Sequence, residues 1–160
     1  MSNSLDEIDR KILGYLQENA RLSNAELARR VNLSSPGLHK RLRRLQDSGV
    51  IDRYVALVNR EALGLDLLCI IQVTMRRHEP QAIDRFRILV QDMPEVLECY
   101  SVTGEFDYYL KIAVRNHRHL EHFLMDVLTP IPGMDTIRTS LVLRGIKETT
   151  SISLKGDLAT

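Results

Sequence analysis

Residues 34–45 read SSPGLHKRLRRL: two hydroxyls, then His39, Lys40, Arg41, Arg43 and Arg44 within seven positions. Ammonium and guanidinium groups at this density donate charge-assisted hydrogen bonds, and their natural acceptors are phosphate oxygens and base edges. The rest of the chain offers little competing chemistry. No nucleophile stands beside a base, and no G-x-S-x-G elbow, phosphate loop or dinucleotide fingerprint occurs. His117, His119 and His122 raise the question of a metal. On a helix only His119 and His122 share a face, and no acid or cysteine completes a ligand set, so an exposed polar face is expected and no metal site. Asp92 and Asp126, near the ends of helical stretches, need no catalytic explanation.

The chain has 160 residues, 44% of them hydrophobic and 27% charged, which describes an ordinary globular protein of one or two domains. No apolar run approaches the roughly 18–20 residues that span a bilayer. The polar, acidic start is unlike a secretory signal, and Cys69 and Cys99 form no C-x-x-C pair. A cytoplasmic protein with reduced thiols is expected. The formal net charge of +1 conceals an asymmetry: residues 1–60 carry 11 Lys and Arg against 7 Asp and Glu, and residues 61–160 carry 11 against 14. No acid lies between Glu26 and Asp47. The first third is therefore the part suited to a polyanion.

The elements that position this charge follow from capping signals and periodicity. Ser4-Leu5-Asp6-Glu7 has the form of a capping box, and Leu5, Ile8, Ile12 and Leu16 recur behind it at helical spacing. A second box, Ser23-Asn24-Ala25-Glu26, is flanked by Leu22 and Leu27 as a hydrophobic staple. It opens a helix that buries Leu27, Ala28 and Val31 and ends near Asn32. A third helix begins within Ser34-Ser35-Pro36, where proline fits the first turn, and stops at Gly49. Leu38, Leu42 and Leu45 form its buried stripe; Lys40, Arg43 and Arg44 point away, with His39 and Arg41 on the flanks. VIDRYVALVN (50–59) reads as two short strands with a turn at Asp52-Arg53. Three short helices and a trailing hairpin make a winged helix-turn-helix, whose third helix enters the DNA major groove. Ser34, Ser35, Pro36, His39, Lys40 and Arg43 are then the candidates for bases and nearby phosphates, and Arg29, Arg30 and Arg53 for flanking phosphates. Arg41 and Arg44 stay open, since either could pair with an acid of the first helix.

REALGL (60–65) reads as a connector, dividing the chain into domains at 1–60 and 61–160. Beyond it LLCIIQVTM (67–75) suits a buried strand, and residues 80–93 suit a helix with Ile83, Phe86, Leu89 and Val90 inward. Strands are expected over 95–104 and 108–115, a helix over 117–128, and a last strand with Ile137, Thr139, Leu141 and Leu143 facing one way. The order β-α-β-β-α-β is a ferredoxin-like sandwich, so the fold class is α+β. A sheet covered on one side leaves the other bare. With so many apolar strand residues, that face is expected to pack on a second copy, giving a dimer at least.

The sequence resembles the Lrp/AsnC family, the leucine-responsive and asparagine-synthesis transcription regulators. The markers are LDEIDRKIL, LSNAELARRVNLS, RLRRLQDSGVI, TGEFDYYLKI, which is close to the family's G-D-F-D-Y turn, and IPGMDTIRTSLVL. They cover nearly the whole chain in order. The resemblance implies a regulator that binds promoter double-stranded DNA as dimers or larger assemblies, often octamers, and senses a small effector, usually an amino acid, without a cofactor. It implies a pocket between sensor domains of adjacent dimers. The matching positions are Ser101, Val102, Thr103, Gly104, Glu105, Phe106 and Asp107, then Glu121 and Met125, and Ile137, Arg138 and Thr139. Backbone N–H groups around Gly104 could hold a carboxylate, and Glu105 or Asp107 an α-ammonium ion. Glu105 departs from the family's usual Asp, and Met125 sits one turn beyond Glu121, a mixed lining that selects neither apolar nor basic amino acids. Without the family, residues 104–107 read as an acidic hairpin turn. A second function class, a metabolic enzyme or enzyme subunit with a protein-docking N-terminal domain, is separated from the first by the salt dependence of DNA binding.

Overall fold

The computed structural model describes residues 5–76 and 80–154. Three helices come first: α1 (Glu7–Glu18), α2 (Asn24–Arg30) and α3 (Ser35–Asp47). Ser4 lies outside the described residues, and the cap of α1 is Asp6, two residues later than the sequence pattern placed it. The Asp6 carboxylate accepts from the Asp9 backbone N–H and the Asp9 carboxylate from that of Asp6, a complete reciprocal box built from two aspartates. Ser23 caps α2 by accepting from the Glu26 N–H. The Glu26 side chain turns to Arg30 instead of completing the box.

Leucine spacing delivers the core as the sequence implies. Ile12, Leu13, Leu27, Ala28, Val31, Leu38, Leu42 and Leu45 are buried together, with Leu5, Ile8, Leu16 and Leu22 packed around them. The turn at 31–34 is closed by Asn32, which adopts φ 54°. Its N–H bonds to the Arg29 carbonyl while the Leu33 N–H reaches back to Ala28, satisfying two carbonyls at the end of α2.

The expected hairpin at 50–59 does not form. Residues 52–59 take no strand conformation among the described residues. Tyr54, Val55, Leu57 and Val58 stand exposed there. A strand needs a ladder partner, and none is supplied here. The chain instead returns from far along the sequence. The Gln17 side chain donates to the Ile152 carbonyl (3.1 Å) and accepts from the Ile152 N–H (2.7 Å), and Leu154 packs on the helical core. Residues 147–154 thus group with residues up to Leu57, and Val58–Ile146 form the other unit. This differs from a simple division at 60/61, because Gln17 offers the tail a strand-like pair of hydrogen bonds.

The second unit runs β1 (Leu67–Met75), α4 (Pro80–Leu89), β2 (Val96–Ser101), β3 (Tyr108–Val114), α5 (His117–His122) and β4 (Met134–Leu141). The antiparallel sheet has the order β2-β3-β1-β4, the ferredoxin-like arrangement. The helix begun as α5 continues through Phe123–Leu128 with π-type pairing. The helix-covered face buries Cys69, Ile71, Val73, Tyr108, Leu110, Ile112 and Val114 with Phe86 and Phe123. Leu89, expected inward, is 40% exposed, while Ala82 is buried. Burial pushes the Cys69 and Cys99 thiols up from their ordinary pKa.

The open face is mixed, not uniformly apolar: Leu68 opposite Ala113 and the half-buried Ile70 share it with polar residues. Register places Tyr100, Tyr109, Gln72 and Arg138 in one row across the sheet, and Glu98, Lys111, Ile70 and Ser140 in the next. Lys111 pairs with Glu98 (3.1 Å), Tyr100 donates to the same carboxylate, and Gln72 donates to the Tyr109 hydroxyl (2.8 Å). The larger apolar side chains lie on the helix side, and the other face mixes Leu68, Ile70 and Ala113 with these polar residues.

Candidate functional site

The basic stretch becomes a helix because its first turn is well prepared. The Ser34 hydroxyl accepts from the Gly37 N–H, and Pro36 stands in the first turn. A Cβ on residue 37 would lie 3.1 Å from the Ser34 Oγ, so glycine leaves the cap its room. Leu38, Leu42 and Leu45 then fix the roll of α3, and Lys40 and Arg43 project on the opposite side, with His39 flanking. Ser35 and Pro36 are exposed at the same end.

The basic residues divide by what holds them. Lys40 and Arg29 are exposed and make no ion pair among the described residues. Arg43, almost wholly exposed, has a loose contact to Asp47 at 3.8 Å. Arg30 is engaged by Glu26 (2.6 Å) and lies over the Tyr15 ring, 5.4 Å from its centroid. Arg53 neighbours Asp52 at 3.5 Å in the segment after α3. Arg41 and Arg44, left open by the sequence, both turn to α1. Arg41 bonds Asp6 (2.5 Å) and Asp9 (2.9 Å), and Arg44 bonds the other oxygen of Asp9. Asp9 is fully buried, so these guanidiniums neutralise a carboxylate that has no water to turn to.

A groove of about 900 Å³ on this unit is shared by Leu16, Leu22 and Leu42 with His39, Lys40, Arg43, Gln46 and Tyr54. Gln46 and Tyr54 escaped the sequence argument. Gln46 lies three residues after Arg43 on the same side of α3, a signal that periodicity could have yielded.

In the second unit the structure brings part of the expected effector set together. Gly104 adopts φ 118°, a conformation open to glycine and strained for other residues, and it turns the chain between β2 and β3. Glu105 pairs with Arg138 on β4 (3.2 Å). The Arg138 guanidinium lies 5.1 Å from the centroid of Phe106, a buried ring that also meets Tyr109 edge-on. Asp107 plays a different part: its carboxylate accepts from the Met75 N–H at 2.7 Å, its own N–H bonds the Val73 carbonyl, and its carbonyl accepts from Val102. It closes the turn onto β1, with one carboxylate oxygen already committed. Ser101, Thr103 and Thr139 are exposed, Val102 and Ile137 half-buried. Glu121 and Met125 are exposed on the helix over 117–128, and no hydrogen bond or ion pair among the described residues joins them to the turn.

The three histidines follow separate lines. The His119 ring bonds Glu95 (3.0 Å) and accepts from the Arg115 N–H, and His122 bonds Asp126 (2.8 Å). Among the described residues no group of three His, Cys, Asp or Glu is placed to hold a metal ion. None of the described helices is long and apolar enough to cross a membrane.

A leucine-anchored helix, capped by serine and presenting free cations outward after a tight turn, is what a helix-turn-helix offers the major groove. The class is that of a DNA-binding regulator carrying a second, α+β unit. Comparison with known proteins agrees. Residues 5–52 match the winged helix-turn-helix DNA-binding family, and residues 68–152 match the Lrp/AsnC ligand binding domain. The leucine-responsive regulatory protein of Escherichia coli is 38% identical over 151 residues, covering 94% of this chain and 92% of that protein. A transcriptional regulator of Neisseria meningitidis, solved as a complex with L-Met, superposes with a TM-score of 0.91 at 40% identity, covering 95% of this chain and 98% of that one. AsnC of E. coli gives 0.83 at 28% identity, with 92% and 98% covered. The chain belongs to the Lrp/AsnC family of DNA-binding transcriptional regulators.

Proposed function

We propose that the protein reads DNA through α3 and adjusts that binding to an amino acid sensed by the βαββαβ unit. The observation that carries the DNA half is the pair Lys40 and Arg43, exposed on the side of α3 opposite its leucine stripe. Ser34, Ser35, Pro36 and His39 share that end of the helix, and Arg29, Arg30 and Arg53 serve flanking phosphates, Arg30 at the cost of its Glu26 partner. The 1–60 and 61–160 domains correspond to reading and sensing, with residues 147–154 grouped with the first.

For the sensing half, the Neisseria relative's L-Met and the name of the leucine-responsive relatives support an amino-acid effector. Its place is the turn of Ser101, Val102, Thr103, Gly104, Glu105, Phe106 and Asp107 beside Ile137, Arg138 and Thr139, with Glu121 and Met125 completing the lining in an assembly. Arg138 supplies a cation for the effector carboxylate and Glu105 an anion for its ammonium group, so binding replaces their mutual pair. The protein acts in the cytoplasm, by binding and not by catalysis, as a homodimer that builds larger assemblies, and needs no cofactor.

The test is fluorescence anisotropy on a duplex selected from a random pool by the protein itself. Lys40→Ala or Arg43→Ala is expected to lose about 1–3 kcal/mol of affinity where it removes a base contact. Wild-type affinity in both variants refutes the assignment of this face. A thermal-shift screen of the twenty amino acids, followed by anisotropy with each hit, tests the effector. A hit that shifts Glu105→Gln as it shifts the wild type removes the turn from the site.

A further inference from the structure

Four Lys and Arg residues lie within five positions of α3, yet only two are directed outward without a strong partner. Arg41 and Arg44 converge on α1, where the Asp9 carboxylate is wholly buried and the Asp6 carboxylate caps the helix. The cluster balances two anions against two cations. The Arg41 hydrogen bond, with the Asp9 N–H, holds the Asp6 carboxyl below the usual aspartate range. Arg44 stands four residues after Lys40 and so shares its side of the helix, and its side chain remains half exposed. By position it belongs with the cations that meet phosphate; by hydrogen bonding it belongs to α1.

We propose that Asp6 and Asp9 are positioning residues for DNA binding: they fix α3 against α1 and withhold Arg41 and Arg44 from phosphate, so that the helix meets DNA with Lys40 and Arg43 as its working cations. This rests on α3 being the DNA-facing helix. The physical reason is an unequal exchange. A phosphate contact on the surface is screened and hydrated, whereas pulling both guanidiniums off Asp9 would leave a buried carboxylate uncompensated. The withheld pair limits backbone attraction, which is blind to sequence, and leaves base contacts to decide the preferred site.

The test measures how the affinity of the full chain for a random-sequence 40-base-pair duplex falls with salt, together with melting temperature. Each phosphate contact contributes about 0.9 to the slope of log K against log salt concentration. Lys40→Ala is expected to reduce the slope by about 1 with little change in melting, and Arg44→Ala to lower melting while leaving the slope unchanged. Asp6→Asn keeps a competent cap but leaves one carboxylate for two guanidiniums, so the slope is expected to rise by up to about 0.9 as one cation is released. Glu7→Gln, which adds the same charge on α1 by freeing Lys11, is the control and is expected to leave the slope unchanged. Asp9→Asn, which leaves a buried amide between two guanidiniums, is expected to lower melting sharply, and Asp6→Asn keeps the test decisive. A slope reduced by Arg44→Ala as much as by Lys40→Ala overturns the proposal, as does a slope unmoved by Asp6→Asn. Should Lys40→Ala, Arg43→Ala and Arg44→Ala all leave the slope intact, the DNA-facing role of α3 itself fails, a separate outcome.

Discussion

Asp107→Ala removes the acceptor of a 2.7 Å hydrogen bond from the Met75 N–H, and Met75 is only 2% exposed. The orphaned N–H costs about 1–3 kcal/mol, and because the lost acceptor is a carboxylate the upper part of that range applies, about 2–3 kcal/mol. For a unit the size of Val58–Ile146, each kcal/mol lowers the melting temperature by roughly 4–8 °C, so the variant should melt roughly 8–24 °C below wild type. Asp107→Asn keeps an oxygen where the N–H points and should stay within about 1 kcal/mol. Scanning calorimetry on the whole chain reads both variants. A melting transition of the βαββαβ unit within 2–3 °C of wild type (roughly half a kcal/mol) in Asp107→Ala would refute the reasoning. The contrast with Glu105 gives the experiment its use. The Glu105–Arg138 pair is largely exposed, and such pairs contribute about 0–1 kcal/mol. Glu105→Gln should therefore melt almost like wild type while losing amino-acid response. A lost response in Asp107→Ala alone would report a collapsed turn as readily as a missing ligand contact.

Three further outcomes can be measured. Leu45→Ala, at a position 1% exposed under α3, should cost about 2–5 kcal/mol and abolish DNA binding by unfolding the first unit, seen as loss of helical circular dichroism at moderate temperature. Gln17→Ala removes both hydrogen bonds to Ile152 and should destabilise the first unit by about 1 kcal/mol, with residues 147–154 losing protection in hydrogen exchange before α1 does. Asp6, whose folded carboxyl lies below its ordinary value of 3.8, contributes stability that is whole above that value and is lost as pH falls through the lower folded value. Acid unfolding followed by circular dichroism should therefore be less steep in Asp6→Asn, and an identical acid limb in both proteins would count against the Asp6–Arg41 pair.

What was legible in the sequence was whatever a local period encodes. Leu38, Leu42 and Leu45 announce the buried side of α3, and Tyr108, Leu110, Ile112 and Val114 announce that of β3, because each period maps onto one element without reference to any other. The partners of Arg41 and Arg44 lie 32 to 35 residues away, and no local pattern states that distance. The misread hairpin at 50–59 has the same origin. Alternation shows which residues suit a strand, but not whether a second strand is there to pair with it. Phe106 and Asp107 sat in what read as a polar turn, yet Phe106 is buried and Asp107 is bonded to β1, contacts that exist only once the sheet is assembled. The π-type pairing over Phe123–Leu128 has no sequence signature that separates it from an ordinary helical continuation.

The same distinction governs how charge should be counted. Residues 1–60 hold an excess of basic side chains, and a count along the chain treats all of them as available to DNA. Pairing says otherwise: Arg30 is held by Glu26, Arg41 and Arg44 by Asp6 and Asp9, and Arg53 has Asp52 beside it. The open face of the sheet makes the parallel point for apolar counts, since register places Glu98, Lys111, Gln72 and Arg138 there beside Leu68, Ile70 and Ala113. On α3, pairing leaves only Lys40 and the loosely held Arg43, of four Lys and Arg side chains, without a strong partner among the described residues.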